Sequence, residues 1–93
     1  MKPGVAHDPE ERRFEAVVEG QRCTLDYELA GKTMTITHTR VPEPVEGRGI
    51  AAALMEAALS HARASGWRVV PKCSYAVAYL GRHREWADIL LDA

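Results

Sequence analysis

The chain has 93 residues, with 12 basic side chains against 13 acidic ones and a formal charge of −1. This length suits one domain, and the near-neutral charge argues against nucleic acid as the main partner, because nucleic-acid-binding domains are strongly basic. No apolar run reaches the ~20 residues that span a bilayer, and the N-terminus lacks the apolar region of a signal peptide. The sequence therefore predicts a cytoplasmic protein with no membrane partner.

The first half of the chain predicts a short arm followed by strands. Residues 1–11 carry prolines and a glycine among polar residues, and we expect a flexible N-terminal arm there, followed by a single domain over residues 12–93. Apolar and polar residues then alternate in three segments (14–18, 23–29 and 33–41), separated by turns at Gly20-Gln21 and Gly31-Lys32. This pattern predicts an antiparallel three-strand meander.

The second half predicts a helix, a short strand and a second helix. The apolar period changes after Gly49, and the alanine-rich residues 50–65 predict an α-helix that ends at Gly66. A short strand over 67–71 follows, then a helix over Tyr75–His83 with Ser74 as its N-cap, and another helical turn or two within Glu85–Leu91. The right-handed crossover of the βαβ unit makes its two strands parallel. The predicted class is α+β, a mixed sheet (the meander plus the parallel strand) with two main helices.

The turn Gly47-Arg48-Gly49 is the clearest binding signal in the sequence. Two glycines between a strand and a helix let backbone N–H groups approach a ligand, and a helix N-terminus carries partial positive charge. The turn therefore predicts a phosphate or pyrophosphate site, with a tight structural connection as the alternative. It is not a P-loop, because no Gly-Lys-Ser/Thr follows, and it lacks the third glycine of a dinucleotide fingerprint.

Four sequence blocks occur in a characteristic order. They are Ile36-Thr-His-Thr-Arg-Val-Pro42, Gly47-Arg-Gly-Ile50, Val70-Pro-Lys-Cys73 and Tyr79-Leu-Gly-Arg-His-Arg-Glu-Trp86. Together they resemble a small single-domain branch of the GCN5-related N-acetyltransferase (GNAT) superfamily, over roughly residues 12–91. The superfamily motif Gln/Arg-x-x-Gly-x-Gly/Ala, which follows a strand that ends in a bulge, is matched from Glu46 to Ala51.

The resemblance implies acetyl-CoA as co-substrate and a primary amine as acceptor, on a protein lysine, a polyamine or a small metabolite. It implies that backbone groups at the strand end, the glycine turn and the helix start hold the pantetheine and pyrophosphate; these positions are Val41, Gly47, Arg48, Gly49, Ile50, Ala51 and Ala52. Glu46 stands where the motif has Gln or Arg. We expect its carboxylate to repel the pyrophosphate unless it is turned outward or paired, with Arg48 as the candidate partner.

Four residues are candidates for catalytic roles, two as the base, one as a nucleophile and one as a general acid. Amines with a pKa of ~10.4 are mostly protonated at neutral pH, so the reaction needs a proton acceptor. His38 is the first candidate base, although alternation places it on the apolar face with Met34 and Ile36, where a structural role is the alternative. Glu43 is the second candidate base.

Cys73 ends the fourth strand, and it either lines the cleft or acts as a nucleophile activated by His38. It forms no metal-spaced pair with Cys23, which is interpreted as core packing, and both thiols are expected to be reduced. The resemblance suggests Tyr79 as general acid for the CoA thiolate, with packing as the alternative. His83 either caps the second helix or contacts the adenosine end of CoA. Two rival functions remain: a CoA-binding module without turnover, and an interaction domain that keeps only the fold.

Overall fold

Five strands form one mixed sheet in the computed structural model, which describes residues 4–91. The strands lie in the spatial order β1 (Ala6–Asp8), β2 (Arg13–Val18), β3 (Gln21–Ala30), β4 (Thr33–Arg40) and β5 (Arg68–Pro71). β1 to β4 are antiparallel neighbours, and β5 is parallel to β4. The other elements are the helices α1 (Ile50–Ser65) and α2 (Ser74–Arg82) and two 3₁₀ helices, Glu43–Val45 and Arg84–Ile89. The α+β class, the meander and the parallel βαβ strand are confirmed.

The first strand corrects the flexible arm predicted over residues 1–11. Ala6–Asp8 pairs with β2, and His7 lies opposite Phe14. The His7 ring stacks on Phe14 with 4.1 Å between ring centroids, and its Nε2 lies 2.6 Å from the Tyr27 hydroxyl. Local composition gives no sign of β1, because its stability depends on partners supplied later in the chain. Residues 1–3 of the predicted arm lie outside the described residues.

The hydrophobic core lies on one face of the sheet, and the other face is open. The core residues of β2, β3 and β4 alternate along each strand and pack with the buried residues of both helices in one cluster. Cys23 is fully buried there, as predicted, and burial raises the pKa of its thiol. Leu54 and Leu59 of α1 are also fully buried, and burial of one such side chain is worth about 1.5–3 kcal/mol. The strand residues between the core positions face away from the helices.

A β-bulge in β4 reverses the face on which the last residues of the strand lie. Tyr27 is paired with Ile36 but Asp26 is paired with His38, so Thr37 is the extra residue. Its hydroxyl donates a hydrogen bond to the Asp26 carbonyl at 3.2 Å. Because side chains alternate, the bulge moves His38 to the open face and Thr39 to the helix-covered face. His38 is exposed, so the prediction that it shares a face with Met34 and Ile36 is wrong.

The helix ends agree with the sequence to within a residue. Gly66 closes α1 as predicted, and its N–H donates to the carbonyls of Ala62 and Arg63. The N-cap of α2 is Cys73, whose Sγ accepts from the Ala76 N–H at 3.3 Å, so the cap predicted at Ser74 is wrong by one position. His83 closes α2, with its Nδ1 2.8 Å from the Tyr79 carbonyl oxygen. The last helical turn is the 3₁₀ helix Arg84–Ile89. Over residues 4–91, neither helix has the length and apolarity that crossing a membrane requires.

Candidate functional site

A cavity of about 370 Å³ opens where β4 ends and α1 begins. We call it the amide cavity, because residues with unpaired backbone amides at the start of α1 line it. Its size falls in the ~300–1,000 Å³ range of small-molecule sites. Six of the seven positions expected at the cofactor site lie around it. The lining residues are Thr39, Val41, Glu46, Gly47, Gly49, Ile50, Ala51, Ala52 and Tyr75.

The glycine turn has a backbone shape that few other residues can adopt. Gly47 and Gly49 have φ of 77° and 74°, in the left-handed region that favours glycine. A Cβ added at either position would meet no protein atom within 4 Å, so it would occupy open space at the cavity. Gly49 is also the N-cap of α1, and no side chain caps that helix end.

The amides at the start of α1 are available to a ligand. The first N–H groups of a helix have no intrahelical partner, and here Ala53 is the first residue that donates back, to the Gly49 carbonyl at 3.1 Å. The preceding amides of Ile50, Ala51 and Ala52 belong to residues that line the cavity. Donors of this kind, together with the helix dipole, suit an anionic group.

Two charged residues of the turn depart from the sequence expectation. Arg48 does not lie among the residues that line the cavity in the described chain, because its guanidinium pairs with Glu19 in the β2–β3 turn. The suggested pairing of Arg48 with Glu46 is therefore wrong. Glu46 is exposed and lines the cavity, and no ion pair engages its carboxylate within residues 4–91. The cavity wall thus combines anion-binding amides with one carboxylate.

The end of β4 has a free backbone edge. Its pairing with β5 stops at Ile36 and Pro71, whereas β4 continues to Arg40. The amides of Lys72 and Cys73 both donate to the Ile36 carbonyl, at 3.0 and 3.2 Å, as the chain turns into α2. Beyond that point no described strand pairs with this edge, which therefore remains open to a ligand that carries amide groups.

The structure does not bring Cys73 and His38 together. Cys73 is half-buried against the core, and its Sγ lies 3.6 Å from the Thr39 hydroxyl oxygen. Both cysteines are free thiols. Because Thr39 and His38 are consecutive residues that point to opposite faces, His38 lies on the other side of the sheet from the sulfur.

Tyr75 lines the cavity, whereas Tyr79 is not among the described residues that line it. The two residues are one helical turn apart on α2, with 6.0 Å between ring centroids. Tyr79 is only 7% exposed and stacks on His83 at 3.9 Å. Burial is the main cause that raises the pKa of both phenols; the neighbouring Tyr79 raises the pKa of Tyr75 further, and Glu56 and Glu85 raise that of Tyr79. Tyr75 is not among the catalytic candidates drawn from the sequence, although its i, i+4 spacing from Tyr79 puts both on one helix face.

A second, polar space lies on the opposite face of the sheet. We call it the open-face cleft; it has a volume of about 520 Å³ and includes Arg13, Arg22, Thr24, Asp26, His38 and Arg40. Thr39 lines both this cleft and the amide cavity. The cleft is not apparent in the sequence, because only the bulge brings His38 to Asp26. The bulge expected at the end of this strand is the one sequence signal that points to it. Glu43 is exposed in its 3₁₀ helix and is not among the described residues that line either space.

Comparison with known proteins identifies the family. The sequence matches the family model described as GCN5-related N-acetyltransferase over residues 13–89. The chain belongs to this family. It is similar to Protein NATD1 of Xenopus tropicalis and of Mus musculus, at 35% identity over 79 residues in each case, which cover 82% of this chain and 72% of each relative. The human Protein NATD1 is also 35% identical, with 82% of this chain and 70% of that protein covered.

The fold is shared with a solved structure. An NMR structure of a GCN5-like protein of Staphylococcus aureus superposes with a TM-score of 0.77 and covers 99% of this chain and 91% of its own. Its sequence identity of 21% supports the fold alone. The resemblance drawn from the four sequence blocks is confirmed, and the enzyme class of the family is that of acyl-CoA-dependent N-acetyltransferases.

Proposed function

We propose that the protein transfers the acetyl group of acetyl-CoA to a primary amine. The observation that carries this proposal is the amide cavity, in which a glycine turn, unpaired helix amides and a free strand edge surround one space. The amides of the turn and of α1 suit a pyrophosphate. The free edge of β4 suits the amide groups of a pantetheine arm. The residues present therefore fit acetyl-CoA as co-substrate.

The proposed transfer needs one proton removed and one proton supplied. The unprotonated amine nitrogen attacks the thioester carbonyl carbon, a C–N bond forms, and the C–S bond breaks. The nitrogen loses a proton and the departing sulfur gains one. Tyr75 is our candidate donor to the sulfur, because it lines the amide cavity and because its raised pKa keeps the hydroxyl protonated at neutral pH. The acid role suggested for Tyr79 stays a prediction.

His38 remains the candidate proton acceptor, but from the open face. The bulge places it in the open-face cleft, which shares Thr39 with the amide cavity. An amine that enters through this cleft would meet the imidazole before it reaches the thioester. Glu43 remains the alternative base as a prediction.

We favour direct transfer over a covalent route through Cys73. His38 lies on the opposite face, and the sulfur already contacts the Thr39 hydroxyl and the Ala76 amide. Mass spectrometry after incubation with acetyl-CoA alone tests this choice. We expect an unmodified Cys73 in a protein that still acetylates amines. A stoichiometric acetyl adduct on Cys73 that an added amine discharges would instead establish the covalent route.

The decisive experiment is a calorimetric titration with acetyl-CoA, followed by product detection over a panel of primary amines. We expect saturable binding and an acetylated product. The absence of both heat and thermal stabilisation would overturn every CoA-based function and favour an interaction domain that keeps only the fold.

A CoA-binding module without turnover is the second candidate function. The carboxylate of Glu46 on the cavity wall and the absence of any described element over the open face favour it. Tight binding of acetyl-CoA without product from any amine would identify this function. A cytoplasmic location stays a prediction from the sequence.

A further inference from the structure

The open-face cleft lies beside the place where the proposed transfer would occur. Thr39 forms part of its wall and also part of the wall of the amide cavity. A ligand in the cleft is therefore separated from the amide cavity by the end of one strand. The cleft is lined mainly by charged and polar residues, whereas most of the described residues that line the amide cavity are apolar or glycine. A polar acceptor would enter from this side.

The charges of the cleft leave one guanidinium without a partner. Arg13 donates to Asp26 at 2.7 Å, and Arg22 pairs with Glu15 at 2.7 Å, so these two cations are neutralised. Arg40 is exposed, lies next to Thr39, and has no carboxylate partner within residues 4–91. Its position opposite Thr24 sets it at the end of the cleft nearest the strand end.

We propose that the cleft binds the acceptor and that this acceptor is a small amine that also carries a carboxylate or a phosphate, held by Arg40. The proposal rests on the proposed acetyltransferase function and names its substrate class. A guanidinium binds either anion through two parallel N–H bonds, which fixes orientation as well as supplying energy. The amine is then directed past His38 toward Thr39.

The same charges disfavour the other acceptor classes. A polyamine or a lysine within a basic peptide brings additional cations close to Arg40, the guanidinium of the cleft that no carboxylate pairs with in residues 4–91, and like charges in contact are repulsive. A volume of about 520 Å³ suits a small molecule. Among the three acceptor types that the family resemblance leaves open, the cleft thus favours the small metabolite.

The experiment compares matched amines on the full chain with saturating acetyl-CoA. One pair is an α-amino acid and its amide, and the other is O-phosphoethanolamine and ethanolamine; spermidine and an acidic lysine peptide complete the panel. We expect a kcat/KM at least tenfold higher for the anionic member of one pair, which also identifies carboxylate or phosphate as the anion. In the amino-acid pair, the amide has the less basic amine and therefore the larger unprotonated fraction at neutral pH. This difference alone would favour the amide, so it does not explain a preference for the anionic member.

Arg40→Gln is the test variant, and Arg84→Gln, an exposed arginine on the last 3₁₀ helix, is the matched control. We expect Arg40→Gln to abolish the preference for the anionic amine, through KM, and to retain wild-type acetyl-CoA affinity. The control should keep the preference. Binding of the N-acetylated anionic product, followed by NMR, supplies a readout that does not require turnover; it should be lost in Arg40→Gln only.

Several outcomes would overturn the inference. One is a preference for spermidine, the peptide or the neutral amines, and another is an Arg40→Gln variant that still prefers the anionic amine. The third is a protein that binds acetyl-CoA but neither acetylates nor binds the anionic compounds. Each of these leaves the acetyl-CoA site intact. A wild-type protein that does not bind acetyl-CoA would instead overturn the proposed function itself, so the two failures are distinguishable.

Discussion

The amide cavity and the open-face cleft lie on opposite sides of the end of β4, and they are built from different parts of the chain. The cavity uses backbone amides, two left-handed glycines and alanines, with Glu46 as its charged side chain. The cleft uses guanidinium, imidazole and carboxylate side chains. The bulge at Thr37 creates this division, because it sends Thr39 toward one space and His38 toward the other. Backbone donors suit the part of a co-substrate that does not vary, whereas we propose that the side-chain charges of the cleft select the acceptor.

The largest expected effect is on the chemical step at the amide cavity. Tyr75→Phe removes the proposed proton donor and should lower kcat about 100-fold, a magnitude typical of general acids. Because the loss arises on the co-substrate side, it should be similar for every acceptor, with acetyl-CoA affinity little changed. Steady-state kinetics with two unlike amines checks this.

Tyr79→Phe is the matched control for that experiment, one helical turn away on the same face of α2. We expect it to alter thermal stability, since the hydroxyl of this buried residue is hydrogen-bonded to the Trp86 side chain, and to leave kcat near the wild-type value. The reverse pattern, with kcat lost only in Tyr79→Phe, would return the acid role to Tyr79.

The next effect is on co-substrate affinity. In Gly49→Ala the left-handed backbone carries a Cβ, which costs about 1–2 kcal/mol, and the methyl group occupies open space at the cavity. We expect acetyl-CoA to bind about tenfold more weakly by calorimetry, the equivalent of ~1.4 kcal/mol. The acceptor KM should change little, because the cleft is built from other residues.

Gly31→Ala is the control that shows whether backbone strain alone weakens acetyl-CoA binding. Gly31 has φ of 60°, and a Cβ there also meets no protein atom within 4 Å, but it lies in the β3–β4 turn at the far end of β4. It should lose similar stability and keep full acetyl-CoA affinity. An equal loss of affinity in both variants would mean that the glycine turn contributes only to folding.

A smaller change in acetyl-CoA affinity is expected at Glu46, where the substitution should strengthen binding instead of weakening it. Glu46→Gln removes a carboxylate from the wall of the amide cavity and should strengthen acetyl-CoA binding by ~1 kcal/mol, or about fivefold, with a larger gain at low salt. Glu43→Gln is the control, because that carboxylate is exposed in the neighbouring 3₁₀ helix. Unchanged binding in Glu46→Gln would mean that the carboxylate is turned away from the pyrophosphate, and weaker binding would mean that it contributes favourably to the site.

The sequence predicted the helix-covered half of the molecule better than the open half. Alternation and helical periodicity located β2 to β5 and both helices, because each of these signals lies within a short segment. Gly47 and Gly49 were identifiable because glycine is the residue that a left-handed backbone between a strand and a helix favours. These features depend on local sequence, and six of the seven residues named for the cofactor site line the amide cavity.

The errors share one physical cause, which is dependence on distant partners. The bulge at Thr37 exists only in the pairing of β4 with β3, so a strict period of two placed His38 on the wrong face. Arg48 pairs with Glu19, a residue of the distant β2–β3 turn, and not with its neighbour Glu46. β1 likewise depends on Phe14 and Tyr27. The open-face cleft combines residues of three strands, so no single segment could reveal it.

The smallest expected effect concerns His7, which belongs to neither space. Burial, and then the neighbouring His61, lower the pKa of His7 below its ordinary value of 6.5, while Asp8 acts in the opposite direction. Between the folded and unfolded pKa values the unfolded chain binds more protons, so stability should fall as the pH drops below about 6.5. We expect the melting temperature to be a few degrees lower at about pH 5.5 than at about pH 7.5.

One substitution assigns that pH dependence and tests the boundary of the site. His7→Phe keeps an aromatic ring against Phe14 but cannot titrate, so circular dichroism should show a weaker pH dependence of its melting temperature. Because His7 lines neither the amide cavity nor the open-face cleft, its titration should leave acetyl-CoA affinity unchanged in the pH range where the protein is folded. An affinity that followed the His7 titration, and lost that dependence in His7→Phe, would mean that the co-substrate side of the molecule is coupled to β1.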